Sequence, residues 1–122
     1  MDPFKLKSTK RGGPEAKIQE GICNYLKTRD WLVIETHGNM FQMGLPDIYA
    51  VHYTLGYRWI EVKNPTAYHF TPAQNQLFPQ LHAKGIGIWI LTAYDEYEME
   101  KLNMPPNWWR FLGKTSHSRG YD

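Results

Sequence analysis

Residues 59–65 read Trp-Ile-Glu-Val-Lys-Asn-Pro. Trp59, Ile60 and Val62 favour a strand. Successive strand side chains turn to opposite faces, so Glu61 and Lys63 share one face with Trp59 while Ile60 and Val62 occupy the other. A carboxylate and an ammonium placed this way form either a salt bridge or a reaction centre. Upstream, Thr54-Leu55-Gly56 fits a three-residue hairpin loop that ends on a left-handed glycine. That loop pairs Tyr53 with Tyr57, sets Tyr49 across from Glu61 and sets Asp47 across from Lys63. Asp47 and Glu61 then become diagonal neighbours on one face, roughly 7–8 Å apart at the backbone. A two-residue loop would slip the register by one and send Asp47 to the other face. Two carboxylates converging on a half-buried face repel each other, and a hard divalent cation relieves the repulsion. Mg²⁺, with Mn²⁺ as a substitute, takes one or two protein carboxylates and fills its shell with waters and phosphate oxygens, which suits a phosphodiester. Lys63 would hold or activate the attacking water; the alternative leaves it as a salt-bridge partner of Asp47 or Glu61.

A third carboxylate can be placed by helical phase. Ile18, Ile22, Tyr25 and Leu26 form an apolar stripe; Glu15 falls within roughly 60° of Ile18, and Glu20 about 200° away. Glu15 is thus expected to face the sheet and Glu20 the solvent, although a first-turn acid also suits the helix dipole. Gln74 is the last residue of a capping box, Thr71-Pro72-Ala73-Gln74, which gives it a purely local reason to exist. His37 and His69 stand in loops beside the proposed site and could touch phosphate or simply be solvated. His52, His82 and His117 carry no pattern.

The elements that must position these residues follow from periodicity and punctuation. Gly12-Gly13-Pro14 opens a helix to about Lys27, with proline at its first position. Trp31–Thr36 reads as a strand, Leu45–Tyr53 as a second and Tyr57–Lys63 as a third. A helix follows the capping box to about Lys84, stopped by Gly85 and expected to kink at Pro79. Ile86–Leu91 reads as a fourth strand buried on both faces. Residues 94–103 suggest a short surface helix, and residues 104–122 a proline-broken, aromatic and basic tail. The order αβββαβ predicts an α/β (α+β) fold, a four-stranded mixed sheet flanked by helices.

The 122 residues suit a single domain across 1–122 that buries one core without metal or disulfide staples. One cysteine, Cys23, excludes an internal disulfide, and no Cys/His spacing fits a zinc site. Neither a secretory leader nor an eighteen-residue apolar run is present, so the expectation is an intracellular protein with no membrane partner. The formal charge is only +2 but is unevenly spread. Lys5, Lys7, Lys10 and Arg11 lie in a basic tail over residues 1–13, and Arg110, Lys114 and Arg119 come near the other end. Basic ends suit a polyanion or serve solubility alone.

Together Glu15 with Gln19, Gly44-Leu45-Pro46-Asp47, Glu61-Val62-Lys63 and Thr71-Pro72-Ala73-Gln74 resemble the VRR-NUC family of the PD-(D/E)XK nuclease superfamily, over Pro14 to about Leu91. The resemblance implies a restriction-endonuclease-like core and a Mg²⁺-dependent DNA endonuclease. Asp47, Glu61 and the Val62 carbonyl would be metal ligands, Glu15 would assist through water, Lys63 would be the catalytic lysine and Gln74 would support the site or contact substrate. Small stand-alone members look like homodimers acting on branched DNA such as Holliday junctions, in a bacterial cytoplasm or a phage-infected host. The basic residues of the N-terminal tail, with His37, Asn39 and His69, would contact DNA. The chain departs from its relatives at Glu35-Thr36-His37-Gly38-Asn39, where they often carry an arginine, so basic help there would come from His37. The other readings are a catalytically silent DNA-binding module of the same fold, or a nuclease or nickase acting on flaps or linear duplexes. Trp108, Trp109 and Phe111 could form a dimer interface or close the chain's own core.

Overall fold

The first helix begins where the basic stretch ends: α1 (Gly13–Lys27) opens on Pro14, carries Glu15 in its first turn and Lys27 in its last, and buries Gln19, Ile22, Cys23 and Leu26. The computed structural model describes residues 13–36 and 44–112. After α1 come β1 (Leu32–Glu35), β2 (Ile48–His52) and β3 (Gly56–Val62), then α2 (Pro72–Ala83), β4 (Ile88–Leu91) and α3 (Glu96–Met99). Two 3-10 turns follow, Glu100–Asn103 and Trp108–Arg110. The result is an α+β arrangement in which a four-stranded sheet of order β1-β2-β3-β4 is flanked by helices. The first three strands run antiparallel, whereas β3 and β4 run parallel and are joined through α2, as parallel neighbours require a long crossover.

Strand alternation divides the core in two. Ile48, Ala50, Ile60, Val62, Trp89 and Leu91 pack toward α1, while Ile88 and Ile90 pack with Phe78 of α2 and with Trp108 on the other face. Full burial of such side chains contributes roughly 1.5–3 kcal/mol each. β4 is buried at all four positions, as its unbroken apolar run implies. It is nonetheless an edge strand, and Asn107 covers the edge. The Asn107 Oδ1 accepts from the Ile90 N–H at 2.6 Å, and its Nδ2 donates to the Ile90 carbonyl at 3.1 Å.

Two expectations need correction. The hairpin loop is Tyr53-Thr54-Leu55, because Gly56 already pairs with His52. His52 explains the shift: its Nδ1 accepts from the backbone N–H groups of Thr54 at 3.1 Å and Leu55 at 3.3 Å, a side-chain turn that loop statistics do not encode. Gly56 does take the left-handed conformation, with φ +84°. The acidic segment is not confined to the surface, since Glu98, Met99 and Leu102 are buried; Glu98 accepts from the Thr92 N–H and pairs with Lys101. As expected, α2 continues past Pro79 to Ala83. Pro79 lies on the exposed side, as does Asn75, whose carbonyl loses its helical partner to the proline ring. Among the described residues no helix is long and apolar enough to cross a membrane.

Candidate active site

The end of the β2–β3 hairpin gathers the polar residues. Ile48 pairs with Ile60, so one further step along the register sets Asp47 directly opposite Glu61. The sequence-derived register set Tyr49 there instead; the true one differs by two residues, and an even shift leaves every side chain on its expected face. Asp47 fastens the arrangement, its Oδ2 accepting from the Val62 N–H at 2.8 Å. The approach to Asp47 is also constrained. Gly44 has φ +87°, and a Cβ there would stand 3.1 Å from the carbonyl carbon and oxygen of Ala73. Only glycine lets this segment lie against the first turn of α2 without strain. Thr36 Oγ1 donates to the Pro46 carbonyl at 2.7 Å and holds the segment from the other side.

Glu61 is 1% exposed. Its Oε2 accepts from Gln74 Nε2 at 2.8 Å and lies 3.0 Å from Lys63 Nζ. Its Oε1 is buried with no hydrogen-bond partner among the described residues. Burial, first, and the neighbouring Asp47 carboxylate, second, push the Glu61 carboxyl up to about 8, against the opposing pull of Lys63 and Gln74. Lys63 is buried as well, and its ammonium spends the rest of its hydrogen-bonding capacity on the His69 carbonyl at 2.9 Å and Gln74 Oε1 at 3.2 Å, while lying 4.5 Å above the Phe70 ring. Gln74 therefore holds two posts. Its backbone N–H donates to Thr71 Oγ1 and its Oε1 accepts from the Thr71 N–H, both at 3.1 Å, which is the capping box; the same side chain links Glu61 to Lys63.

Glu15 is half-buried on α1, and its Oε2 accepts from the Asn64 N–H at 3.2 Å, next to Lys63 in the chain. It reaches the strand end, as its phase implied, while Glu20 is exposed. Among the described residues no three His, Cys, Asp or Glu side chains come together as a metal-holding group, so the three acids are not gathered into one cluster; the close pair is Asp47 and Glu61. His69 enters through its backbone carbonyl, with the residue itself exposed. Lys5, Lys7, Lys10, Arg11, His37 and Asn39 lie outside the described residues. Trp108 closes the chain's own core, Phe111 packs against the same cluster, and Trp109 is exposed.

Sequence reasoning missed the Val62 N–H, the Asn64 N–H, the His69 carbonyl and Phe70. The first three act through backbone atoms, which leave no mark on residue type. Phe70 has the signal of an aromatic residue in the loop after the lysine. The donor chemistry suits a hard divalent cation: one buried carboxylate oxygen lacks a partner among the described residues, and a second carboxylate raises the negative potential beside it. Comparison with family models, with curated proteins and with solved structures gives no match for this chain.

Proposed function

We propose that the protein is a Mg²⁺-dependent DNA endonuclease of the PD-(D/E)XK type, with Asp47, Glu61 and Lys63 at its centre and Glu15 and Gln74 in support. The observation that carries this reading is the buried Glu61 Oε1, without a hydrogen-bond partner among the described residues and beside a second carboxylate. A native core seldom keeps such an atom unless a ligand completes it. Asp47 and Glu61 would hold the cation together with the Val62 carbonyl that the resemblance to VRR-NUC proteins names. When bound, the cation supplies Lewis-acid polarisation of a phosphoryl oxygen and a more acidic water.

The chain's own groups do the rest. Lys63 Nζ donates to Glu61, the His69 carbonyl and Gln74 and lies over Phe70, so its head is fixed in place. In this reading it is a positioned group that offsets negative charge developing on the phosphate. Gln74 holds Glu61 and Lys63 at a set separation. Glu15 steadies the strand exit through the Asn64 N–H. Asp47 ties the two strand ends through the Val62 N–H, so the reacting groups sit on rigid elements. The resemblance extends the proposal to branched DNA and a homodimer.

The test is incubation with four-way junction, flap, linear duplex and single-stranded DNA, each with Mg²⁺ or with chelator. Cleavage is expected only with the cation, and Lys63→Ala should lower its rate by at least about a hundredfold, on the scale of a lost charge-stabilising group, while DNA binding in chelator persists. Undiminished cleavage by that variant, or no cleavage of any of the four by the parent protein, would overturn the reading.

A further inference from the structure

Among the described residues, the face of the sheet that carries Asp47 and Glu61 is only half covered. Register aligns Leu32, Val51 and Tyr57 in one row and Ile34, Tyr49 and Trp59 in the next, and one further step brings Asp47 and Glu61. Beyond Trp59 and Glu61 the face is closed by Ile88, Ile90 and α2. On the β1–β2 side neither core cluster contains Leu32, Ile34, Tyr49, Val51 or Tyr57. Leu32 is 50% and Tyr57 39% exposed, and Ile34, Tyr49, Val51 and Trp59 are partly so.

Resting on the nuclease reading, we propose that this face is a stacking platform for unpaired nucleobases, which delivers the adjoining phosphate to Asp47, Glu61 and Lys63. Three rings make a continuous diagonal: Tyr57 to Tyr49 at 6.0 Å between centroids, and Tyr49 to Trp59 at 4.7 Å. The diagonal ends one same-face step, roughly 6.8 Å, from Glu61. Every base has a π-face, so such rings hold an unpaired strand whatever its sequence. Size separates this occupant from a second copy of the chain. Strands about 4.8 Å apart and same-face side chains about 6.8 Å apart give the six positions roughly 200 Å², against the ~800 Å² per partner of a standard stable interface. The platform is large enough for a few bases and too small to hold a dimer by itself. The substrate then has unpaired nucleotides beside the bond that is cut, as at a junction or flap, rather than continuous duplex.

Binding can be read in chelator, where no cleavage occurs, by tryptophan quenching and anisotropy with oligothymidylate, oligouridylate and a blunt duplex. The double variant Tyr49→Leu/Tyr57→Leu keeps an apolar, strand-compatible face and removes two rings. Its affinity for at least one of the unpaired strands should fall by about tenfold or more, at the scale of one or two lost stacking contacts, with duplex affinity and melting temperature unchanged. Unaltered single-strand affinity, or parent protein that binds duplex as tightly as either oligomer, would overturn the platform. So would a parent dimer in sedimentation that Tyr57→Lys dissociates, since a second copy would then cover the face. Duplex cleavage in Mg²⁺ by a protein with no affinity for unpaired strands would sink the platform and leave the nuclease; ring-dependent strand binding without any cleavage would do the reverse.

Discussion

Glu61 is held between opposed demands. Its strand position gives it no access to water, and its nearest opposed neighbour is another acid, so its carboxyl is driven from the ordinary range near 4.5 to about 8. Raising a folded-state pKa means that the folded chain holds a proton the unfolded chain releases. That contribution to stability is complete below the unfolded value and is lost as pH rises through the folded one. In chelator the melting temperature should therefore decline between about pH 5 and pH 8. Glu61→Gln should flatten this decline and melt above the parent at pH 8, with little difference near pH 5. Mg²⁺ should rescue the parent at pH 8 and leave Glu61→Gln unmoved. Scanning calorimetry across this range checks all three, and parallel pH profiles for parent and variant would refute the assignment. The sequence made the shared face of Glu61 and Lys63 legible, because alternation in a strand needs only the residue numbers. It did not make Glu61's complete burial legible, which depends on Ile90 arriving beside it from β4.

Among the elements, the hairpin was readable in kind and misread in detail. Strand alternation, the left-handed Gly56 and the three-residue loop length were all recoverable, but the loop lies one residue earlier because His52 caps it with its own ring. The shared face of Asp47 and Glu61 survived the error, since two residues is a whole period of the pleat. The second helix was easier. Thr71, Pro72 and Gln74 fix its start by local bonds alone, and α2 begins where they require. Gly44 shows the limit of such reasoning: nothing local in the sequence marks its physical reason, which is contact with Ala73 across 29 residues of chain. Gly44→Ala should cost more than about 2 kcal/mol, combining left-handed strain with backbone collision, and should impair cleavage by displacing Asp47. Gly56→Ala has the same strain with open space around it and should cost about 1 kcal/mol without touching activity. Denaturant melts of the two variants give the comparison, and equal costs would remove the role assigned to Ala73.

Across the molecule, two unlike cores meet back to back on a single sheet. The α1 side is built mostly by elements whose order in the chain made it foreseeable, with Met99 and Leu102 added from the acidic segment that reads as surface. The α2 side is completed by Trp108, Phe111 and Leu112 from a segment that reads as a tail. Nothing in a Trp-Trp pair says which ring goes inside; the answer comes from the path of the chain after α3. Trp108→Ala should cost roughly 3–5 kcal/mol, the range for deleting a buried aromatic side chain, and Trp109→Ala within about 0.5 kcal/mol. Reversed magnitudes in chemical denaturation would show the wrong ring assigned to the interior. Asn107, between these turns and β4, has a different kind of importance. By answering both main-chain groups of Ile90, a single amide takes the place of a fifth strand and denies that margin to any other molecule. Asn107→Leu should leave the margin open to recruit neighbouring copies, and the expected symptom is thioflavin-positive aggregate growing with protein concentration while the freshly purified monomer still folds.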